Sequence, residues 1–225
     1  MKMKTLVIIP AFNEQDNIVP LIKDINKYDY DYLIINDCST DDTPNILKSR
    51  NYNHLDLPVN VGLAGVTQIG FKYAYDNRYD CAICVDGDGQ HQPSYIRPLI
   101  KEIENGSDYV VGSRFVDEKK PMSLRMFGSR LICLAIKLKT GVSVTDPTSG
   151  MRAMGRRVIK DFAKSMNFYA EPDALVYLLR MDKDTTVKEI QVEMKEREGG
   201  TSYFHNPLKS AYYMLAVTIS ILLAR

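Results

Sequence analysis

The chain has 225 residues, of which 45% are hydrophobic and 25% charged, and a formal net charge of +1. These values are ordinary for a globular protein with a sizeable core, and the balanced charge gives no bulk signal for nucleic-acid binding. The length allows either one large domain or two small ones.

The cysteines and the N-terminus indicate the compartment. The apolar run at residues 5–9 is short and breaks at Pro10 without a cleavage site, so it fits a first strand better than a signal peptide. The C-x-x-C pair lies inside an apolar run and lacks the second pair of a zinc site. We therefore interpret the four cysteines as buried thiols of a cytoplasmic protein: Cys38, Cys81, Cys84 and Cys133.

Segments with the pattern of buried strands alternate with helical segments in the first half of the chain. Strands are predicted at residues 4–11, 31–37, 55–57, 81–86 and 108–113. Helices are predicted to begin after a cap at Asn13 or Asp16, and then at about residues 43, 62 and 93. This alternation predicts right-handed βαβ crossovers, and hence an α/β fold with a mostly parallel, Rossmann-like sheet and helices on both faces.

The pattern is less regular after residue 114, where cations are frequent up to about residue 155. Residues 211–224 carry no charge, but this run of about 14 residues is shorter than the roughly 20 that span a bilayer. We expect one catalytic domain over residues 1–205 and a C-terminal helix over 206–225. Within this part we predict helices at 129–138 and 171–181, a turn-rich loop at 145–152 and a strand at about 186–194.

Polar side chains follow four of the predicted strands. Because ligands bind at the carboxyl ends of parallel strands, these side chains are expected to line one site. They are Asn13 and Glu14, Asn36 and Asp37, Asp86 and Asp88, and Ser113 and Arg114. Polar loops are common, but four such ends on one edge favour a binding site.

Asp86 and Asp88 stand two positions apart in the stretch DGDGQHQP. Two carboxylates at this spacing can bind one hard cation, and Mg²⁺ or Mn²⁺ takes oxygen ligands together with waters and substrate phosphates. The amide oxygen of Gln90 is a further candidate ligand, and Gly87 and Gly89 let the backbone approach a phosphate. The alternative is a solvated turn with capping aspartates, since Asp-Gly is a common turn pair.

Four motifs in chain order, PAFNE, NDCSTDDT, NVGLAGV and DGDGQHQP, resemble those of the family 2 glycosyltransferases. More narrowly, DGDGQHQP, GSRF, DPTSGMR and REGGTS are similar to the dolichyl-phosphate mannosyltransferase branch and its bacterial polyprenyl-phosphate sugar transferase relatives. The resemblance covers nearly the whole chain. It departs at Tyr203, where the branch usually has a lysine, which leaves one fewer cation for a phosphate.

The resemblance implies a metal-dependent, inverting transferase that binds a nucleoside diphosphate sugar, with UDP favoured. It implies that Mg²⁺ or Mn²⁺ is held on the diphosphate by Asp86, Asp88 and Gln90. Asp88 is also expected to be a catalytic residue. Asp37 is expected to accept a hydrogen bond from a base N–H, and Glu14 from ribose hydroxyls. The full set of implied nucleotide-binding residues is Pro10, Ala11, Asn13, Glu14, Asp37, Gly62, Gly65, Asp86 and Gly87.

The resemblance also implies a polyprenyl phosphate as the acceptor. A phosphate monoester needs no general base, because its second pKa is about 6, but it does need cations. A hydroxyl acceptor would instead need a base, for which Asp146 and Asp173 are candidates, with Asp173 counted as catalytic. His91 is expected to be a loop residue near the acceptor. The implied phosphate-binding residues are Arg114, which is also counted as catalytic, Arg152, Arg197 and Ser202.

The segments at 129–139 and 209–225 are predicted to lie on the inner face of a membrane, because both combine apolar and basic residues. They could otherwise be core helices or contacts with a membrane protein or a second copy of the chain. Three other functions stay open: a saccharide hydroxyl acceptor in cell-surface polysaccharide synthesis, a nucleotidyltransferase, and a silent nucleotide-sugar binding protein. The intact Asp86 and Asp88 argue against the silent protein.

Overall fold

The computed structural model describes residues 3–164, 171–195 and 207–223. Seven strands in these ranges form one sheet: β1 (Thr5–Ala11), β2 (Asp31–Asn36), β3 (His54–Asp56), β4 (Cys81–Cys84), β5 (Tyr109–Ser113), β6 (Arg152–Gly155) and β7 (Val187–Gln191). Their spatial order is β3-β2-β1-β4-β6-β5-β7, and every pair that excludes β6 is parallel. The predicted α/β class and mostly parallel sheet are confirmed.

Helices in the described ranges cover both faces of the sheet, as the alternating side chains of β1 require. Val7 and Ile9 join one buried cluster, and Leu6 and Ile8 join the other. A strand buried on both faces has the uninterrupted apolar sequence seen here. The helices are α1 (Ile18–Ile25), α2 (Thr43–Ser49), α3 (Gly62–Asp76), α4 (Ile96–Glu104), α5 (Leu124–Thr140), α6 (Arg156–Lys164), α7 (Glu171–Met181) and α8 (Pro207–Leu223).

β6 and α6 are not predicted from the sequence. β6 runs antiparallel to β4 and β5, with Arg152 opposite Cys84 and Met154 opposite Tyr109. Its sequence, RAMG, is short, has no β-branched side chain and shows no alternation of apolar and polar residues. The strand matters for function because it brings the end of the turn-rich loop to the carboxyl end of β4.

α1 begins without the predicted cap. Its N-cap is Asn17, which makes no side-chain capping hydrogen bond, so the prediction of Asn13 or Asp16 as the cap is wrong. Asn13 instead has a positive φ of 56°, which asparagine tolerates better than most residues, and its side-chain oxygen accepts a hydrogen bond from the Thr40 amide at 2.8 Å. Asn13 therefore holds the end of β1 against the loop after β2.

α5 and α8 pack closely against each other. Gly128 permits this contact, because a Cβ at that position would lie 2.8 Å from the Met214 side chain. Among the helices that the structure describes, none has the length and hydropathy of a bilayer-spanning helix. The two helices nevertheless expose apolar side chains: Phe127, Leu131, Leu134 and Leu138 on α5, and Tyr212, Leu215, Ile219, Leu222 and Leu223 on α8.

Candidate active site

Hydrogen bonds join the loops that follow β1 and β2. The Asn13 amide donates to the Ser39 hydroxyl at 3.0 Å, and the Glu14 amide donates to the Thr43 hydroxyl at 3.0 Å. Glu14 is buried, and its carboxylate accepts a hydrogen bond from the Asn17 side chain at 2.7 Å. The structure thus brings the motif PAFNE directly beside the motif NDCSTDDT.

Asp37 holds the start of α3. Its buried carboxylate accepts hydrogen bonds from the amides of Val61 at 2.7 Å and Gly62 at 2.9 Å. A negative charge at this position is stabilised by the unpaired amides and the dipole of the helix. Gly62 has a φ of +74°, which favours glycine. Gly65 lies in the first turns of α3 against Val61, and the contacts of all these residues with a nucleotide stay predictions.

Gly87 joins the ends of β1 and β4. A Cβ on Gly87 would lie 2.7 Å from the Pro10 carbonyl oxygen, 3.5 Å from Glu14 Cγ and 3.6 Å from Ala11 Cα. Only a residue without a side chain can make this approach. Four residues that the family resemblance implies for nucleotide binding are therefore contiguous with the Asp-x-Asp pair: Pro10, Ala11, Glu14 and Gly87.

The loop from Asp86 to His91 is fixed by its own hydrogen bonds. The Asp86 amide donates to His91 Nδ1 at 3.0 Å, and the Gln90 amide donates to the Asp88 carboxylate at 3.0 Å. His91 lies in the loop, as predicted, and its place near the acceptor stays a prediction, but its side chain does not face solvent, because it is only 3% exposed. The imidazole instead supports the loop from the inside.

The same loop is tied to the chain that follows β7. The Lys195 amide donates to the Gln90 carbonyl at 3.0 Å, and the Gln90 side-chain amide donates to the Lys195 carbonyl at 3.2 Å. The segment that contains REGGTS comes next along the chain. Arg197 and Ser202 lie outside the described residues, so their role at the acceptor stays a prediction.

The candidate metal ligands are two carboxylates and one amide. Within residues 3–164, 171–195 and 207–223, no group of three or more His, Cys, Asp or Glu side chains could hold a metal ion. Mg²⁺ usually takes only one or two carboxylates and completes its shell with waters and substrate phosphates. The Asp86 side chain is 36% exposed and so is accessible. Asp86 and Asp88 therefore fit a metal that is shared with a bound diphosphate.

Arg114 and Asp146 form a bidentate ion pair at the end of β5. Arg114 Nε lies 2.7 Å from Asp146 Oδ2, and Nη2 lies 3.0 Å from Oδ1. The Asp146 side chain has no exposed surface, whereas that of Arg114 keeps 24%. The hypothesis that Asp146 is a general base is therefore wrong, because its two oxygens already accept from Arg114 and no acceptor can reach them.

Comparison with known proteins identifies the family. Residues 6–162 match the family model described as glycosyl transferase family 2. The chain belongs to this family. The UDP-N-acetylglucosamine–dolichyl-phosphate N-acetylglucosaminyltransferase of Methanococcus voltae is 34% identical to it over 71% of this chain and 72% of that protein. The undecaprenyl-phosphate mannosyltransferase of Micrococcus luteus is 28% identical over 89% and 87%. The resemblance stated from the motifs is confirmed, and the chain is a glycosyltransferase.

Solved structures share the fold of this glycosyltransferase. Glucosyl-3-phosphoglycerate synthase from Mycobacterium tuberculosis, in complex with Mn²⁺, UDP and phosphoglyceric acid, superimposes with a TM-score of 0.76. The comparison covers 100% of this chain and 80% of the other, at 16% sequence identity. At this identity the likeness shows the fold alone.

Arg152 of the glycosyltransferase supports the loop at residues 145–152 from within. The side chain is 3% exposed, and its guanidinium donates to the carbonyls of Ser149 at 2.6 Å and Pro147 at 2.7 Å and to the Tyr109 hydroxyl at 2.7 Å. The structure thus contradicts the prediction that Arg152 binds the acceptor phosphate. A motif match does not reveal which arginine faces outward, and this one orders the loop.

Cations that the matched motifs omit gather beside Arg114. Burial lowers the pKa of Arg125, and the positive charge of Arg114 lowers it further. Lys120 donates to the Ser129 hydroxyl at 2.8 Å. Its ammonium lies 5.5 Å from the centre of the Phe115 ring, over which the Arg114 guanidinium also lies, at 5.2 Å. The only signal of this cluster in the sequence is the frequency of cations after residue 114.

Asp173 lies in the first turn of α7 and contacts α8. Its Oδ2 accepts a hydrogen bond from the Ser220 hydroxyl at 2.9 Å. Its Oδ1 is buried and has no hydrogen-bond partner among the residues that the structure describes. Burial raises the pKa of Asp173. A raised pKa suits a general base, but the contact with α8 occupies one of the two oxygens, and the catalytic role stays a prediction.

Proposed function

We propose that this glycosyltransferase moves a hexose from a nucleoside diphosphate sugar, with UDP favoured, to a polyprenyl phosphate, with inversion at the anomeric carbon. The proposal rests on the arrangement of charges at one edge of the sheet. The Asp86 and Asp88 carboxylates follow β4, and the cations Arg114 and Arg125 lie near the end of β5. The relatives named for dolichyl and undecaprenyl phosphates support this acceptor class. The UDP and Mn²⁺ of the structure with the same fold support the donor and the cation.

In the proposed reaction, an acceptor phosphate oxygen attacks the anomeric carbon while the bond from that carbon to the diphosphate breaks. The nucleoside diphosphate leaves with the bonding electron pair. No general base is needed, because a phosphate monoester is mostly dianionic near neutral pH. Arg114 and Arg125 would hold the acceptor, since a guanidinium has five donors and can bind Asp146 and a phosphate together. Asp86, Asp88 and Gln90 would hold Mg²⁺ or Mn²⁺, which neutralises charge on the leaving diphosphate.

A partition assay tests this function. The protein is incubated with Mn²⁺, a panel of labelled UDP- and GDP-sugars, and a short-chain polyprenyl phosphate, and label in the organic phase is counted. We expect one donor to transfer label, and only when the lipid phosphate is present. Release of inorganic diphosphate without free nucleoside diphosphate would indicate a nucleotidyltransferase instead. A donor that binds but transfers no label would indicate a different acceptor.

A saccharide hydroxyl acceptor is the second candidate, and the raised pKa of Asp173 favours it. Asp173→Asn distinguishes the two, because asparagine cannot remove a proton but can still accept from Ser220. If the acceptor is a lipid phosphate, we expect the kcat of Asp173→Asn to stay within about threefold of wild type. If the acceptor is a hydroxyl, the loss of the base should lower kcat by about 100-fold or more. The measurement is initial rate with saturating donor, and a large loss with the lipid phosphate would contradict our proposal.

The same variant is expected to be more stable than wild type at neutral pH. Because burial raises the pKa of Asp173, its ionisation opposes folding, and this destabilisation is present only above the ordinary carboxyl pKa. Asp173→Asn should therefore raise the melting temperature by a few degrees at pH 8, and the difference should vanish as the pH falls toward the ordinary carboxyl pKa. If the variant and wild type have the same melting temperature both at pH 8 and near the ordinary carboxyl pKa, burial of the Asp173 carboxylate does not oppose folding.

We also propose that α5 and α8 dock the enzyme on an anionic membrane surface, where the lipid acceptor lies. Leu131 and Leu134 are exposed on α5 between the exposed cations Arg130 and Lys137, as in helices that lie in a bilayer interface. Leu134→Glu should weaken binding to phosphatidylglycerol vesicles by about tenfold or more, the scale of burying one leucine. Vesicle flotation measures the binding, and Leu55→Glu on β3 is the control. If wild type, Leu134→Glu and Leu55→Glu bind the vesicles equally, this surface is not the docking surface.

A further inference from the structure

The loop at residues 145–152 touches both sides of the active site. On the acceptor side, Asp146 binds the Arg114 guanidinium through both carboxylate oxygens. On the donor side, Gly150 faces the Asp86 carboxylate. A Cβ at Gly150 would lie 2.5 Å from Asp86 Oδ2 and 3.1 Å from both Cγ and Oδ1. A carbon atom cannot approach an oxygen to 2.5 Å, so the space beside this carboxylate exists only because residue 150 is a glycine.

His91 bounds the Asp86 carboxylate on one side, while the carboxylate's remaining surface is open to solvent. Asp86 Oδ2 lies 3.7 Å from Nε2 of His91, whose buried ring also accepts the hydrogen bond from the Asp86 amide. The next residue, Gly87, already lies against the Pro10 carbonyl oxygen. An added methyl group at position 150 would therefore turn the carboxylate about its own side-chain bonds and would not shift the backbone that carries it.

We propose that Gly150 is a positioning residue that fixes the orientation of the Asp86 carboxylate toward the metal. This inference rests on the proposed metal-binding role of Asp86. Metal ligands must be held to within about 0.5 Å, so a rotated carboxylate loses affinity even though the residue is present. Because Gly150 and Asp146 belong to one loop that Arg152 braces, the orientations of the metal carboxylate and of Arg114 are set together.

The test is Gly150→Ala, with Gly155→Ala as the matched control. Neither glycine has a positive φ, so alanine fits both backbones, and a Cβ at Gly155 meets nothing closer than 3.6 Å. UDP binding is measured by calorimetry with Mn²⁺ and again with EDTA. We expect Gly150→Ala to weaken the Mn²⁺-dependent binding of UDP by about tenfold or more and to leave metal-free binding unchanged. Gly155→Ala should match wild type in both.

A double-mutant cycle tests the contact itself, even if Gly150→Ala is poorly stable. Asp86→Ala removes the atoms that the new methyl group would meet. Gly150→Ala should therefore lower the melting temperature by a few degrees in the wild-type background and by much less in the Asp86→Ala background. Equal losses in the two backgrounds would overturn the proposed contact.

Three outcomes of the binding experiment differ in meaning. Wild-type affinity of Gly150→Ala in the presence of Mn²⁺ would overturn the positioning role. An equal loss of UDP affinity with Mn²⁺ and with EDTA would assign Gly150 to the shape of the nucleotide pocket and would also overturn it. If wild type itself gains no UDP affinity from Mn²⁺, the metal role of Asp86 fails, and the inference about Gly150 fails with it. The acceptor is absent throughout, so the polyprenyl phosphate proposal is not involved.

Discussion

Asp88→Asn is expected to lower metal-dependent turnover by about 100- to 1000-fold, the scale of removing one group that stabilises transition-state charge. The loop should keep its shape, because the asparagine side-chain oxygen can still accept the hydrogen bond that the Gln90 amide donates to Asp88 at 3.0 Å. What changes is one negative charge at the proposed cation site. The melting temperature should therefore stay within about 2 °C of wild type.

The measurement is the initial rate over a titration of Mn²⁺ and Mg²⁺, together with thermal unfolding of each protein. Asp76→Asn is the control, because Asp76 forms an exposed ion pair with Lys72 within α3, and such pairs contribute little. Its rate and metal dependence should equal those of wild type. Normal turnover of Asp88→Asn with either cation would show that the metal assignment of the Asp-x-Asp pair is incorrect.

The fold could be predicted where local sequence determines it. β1, β2, β4 and β5 are continuous apolar runs bounded by polar turns, and a strand buried on both faces needs such a run. β6 could not be predicted, because its four residues owe their conformation to the strands on each side. The start of α1 could not be predicted for a similar reason. Asn13 and Asp16 have side chains that suit a helix cap, but Asn13 instead accepts a hydrogen bond from Thr40, which lies on a loop distant in sequence.

The sequence predicts which edge of the sheet carries the candidate site, but not which side chains there are buried and which residues they contact. Polar residues after parallel strands meet at one edge by topology alone, which is why Asp37, Asp86 and Arg114 fall on the same rim. Burial depends on the packing of loops. Sequence spacing therefore gave no reason to separate the inward-facing Arg152 from the partly exposed Arg114.

Arg114→Met is expected to lower the free energy of unfolding by about 3–5 kcal/mol, because it leaves the fully buried Asp146 carboxylate without its bidentate partner. For a chain of this size the loss corresponds to a fall of about 6–20 °C in melting temperature. Thermal and urea unfolding measure it. Arg97→Met is the control: Arg97 forms an exposed ion pair with Glu104 in α4, its side chain is 57% exposed, and the melting temperature of this variant should stay within about 2 °C of wild type.

The double variant Arg114→Met/Asp146→Asn separates stability from function. It removes both charges of the pair, and the single side-chain oxygen of asparagine can still accept from the backbone amide at position 114, so at least half of the lost stability should return. Activity should not return with it, since the proposed acceptor phosphate still lacks Arg114. We expect the KM for polyprenyl phosphate to stay at least tenfold above wild type while the affinity for UDP is unchanged. Recovery of a wild-type KM would mean that Arg114 serves only to neutralise Asp146, and the acceptor phosphate would then have to be bound by Arg125 and Lys120.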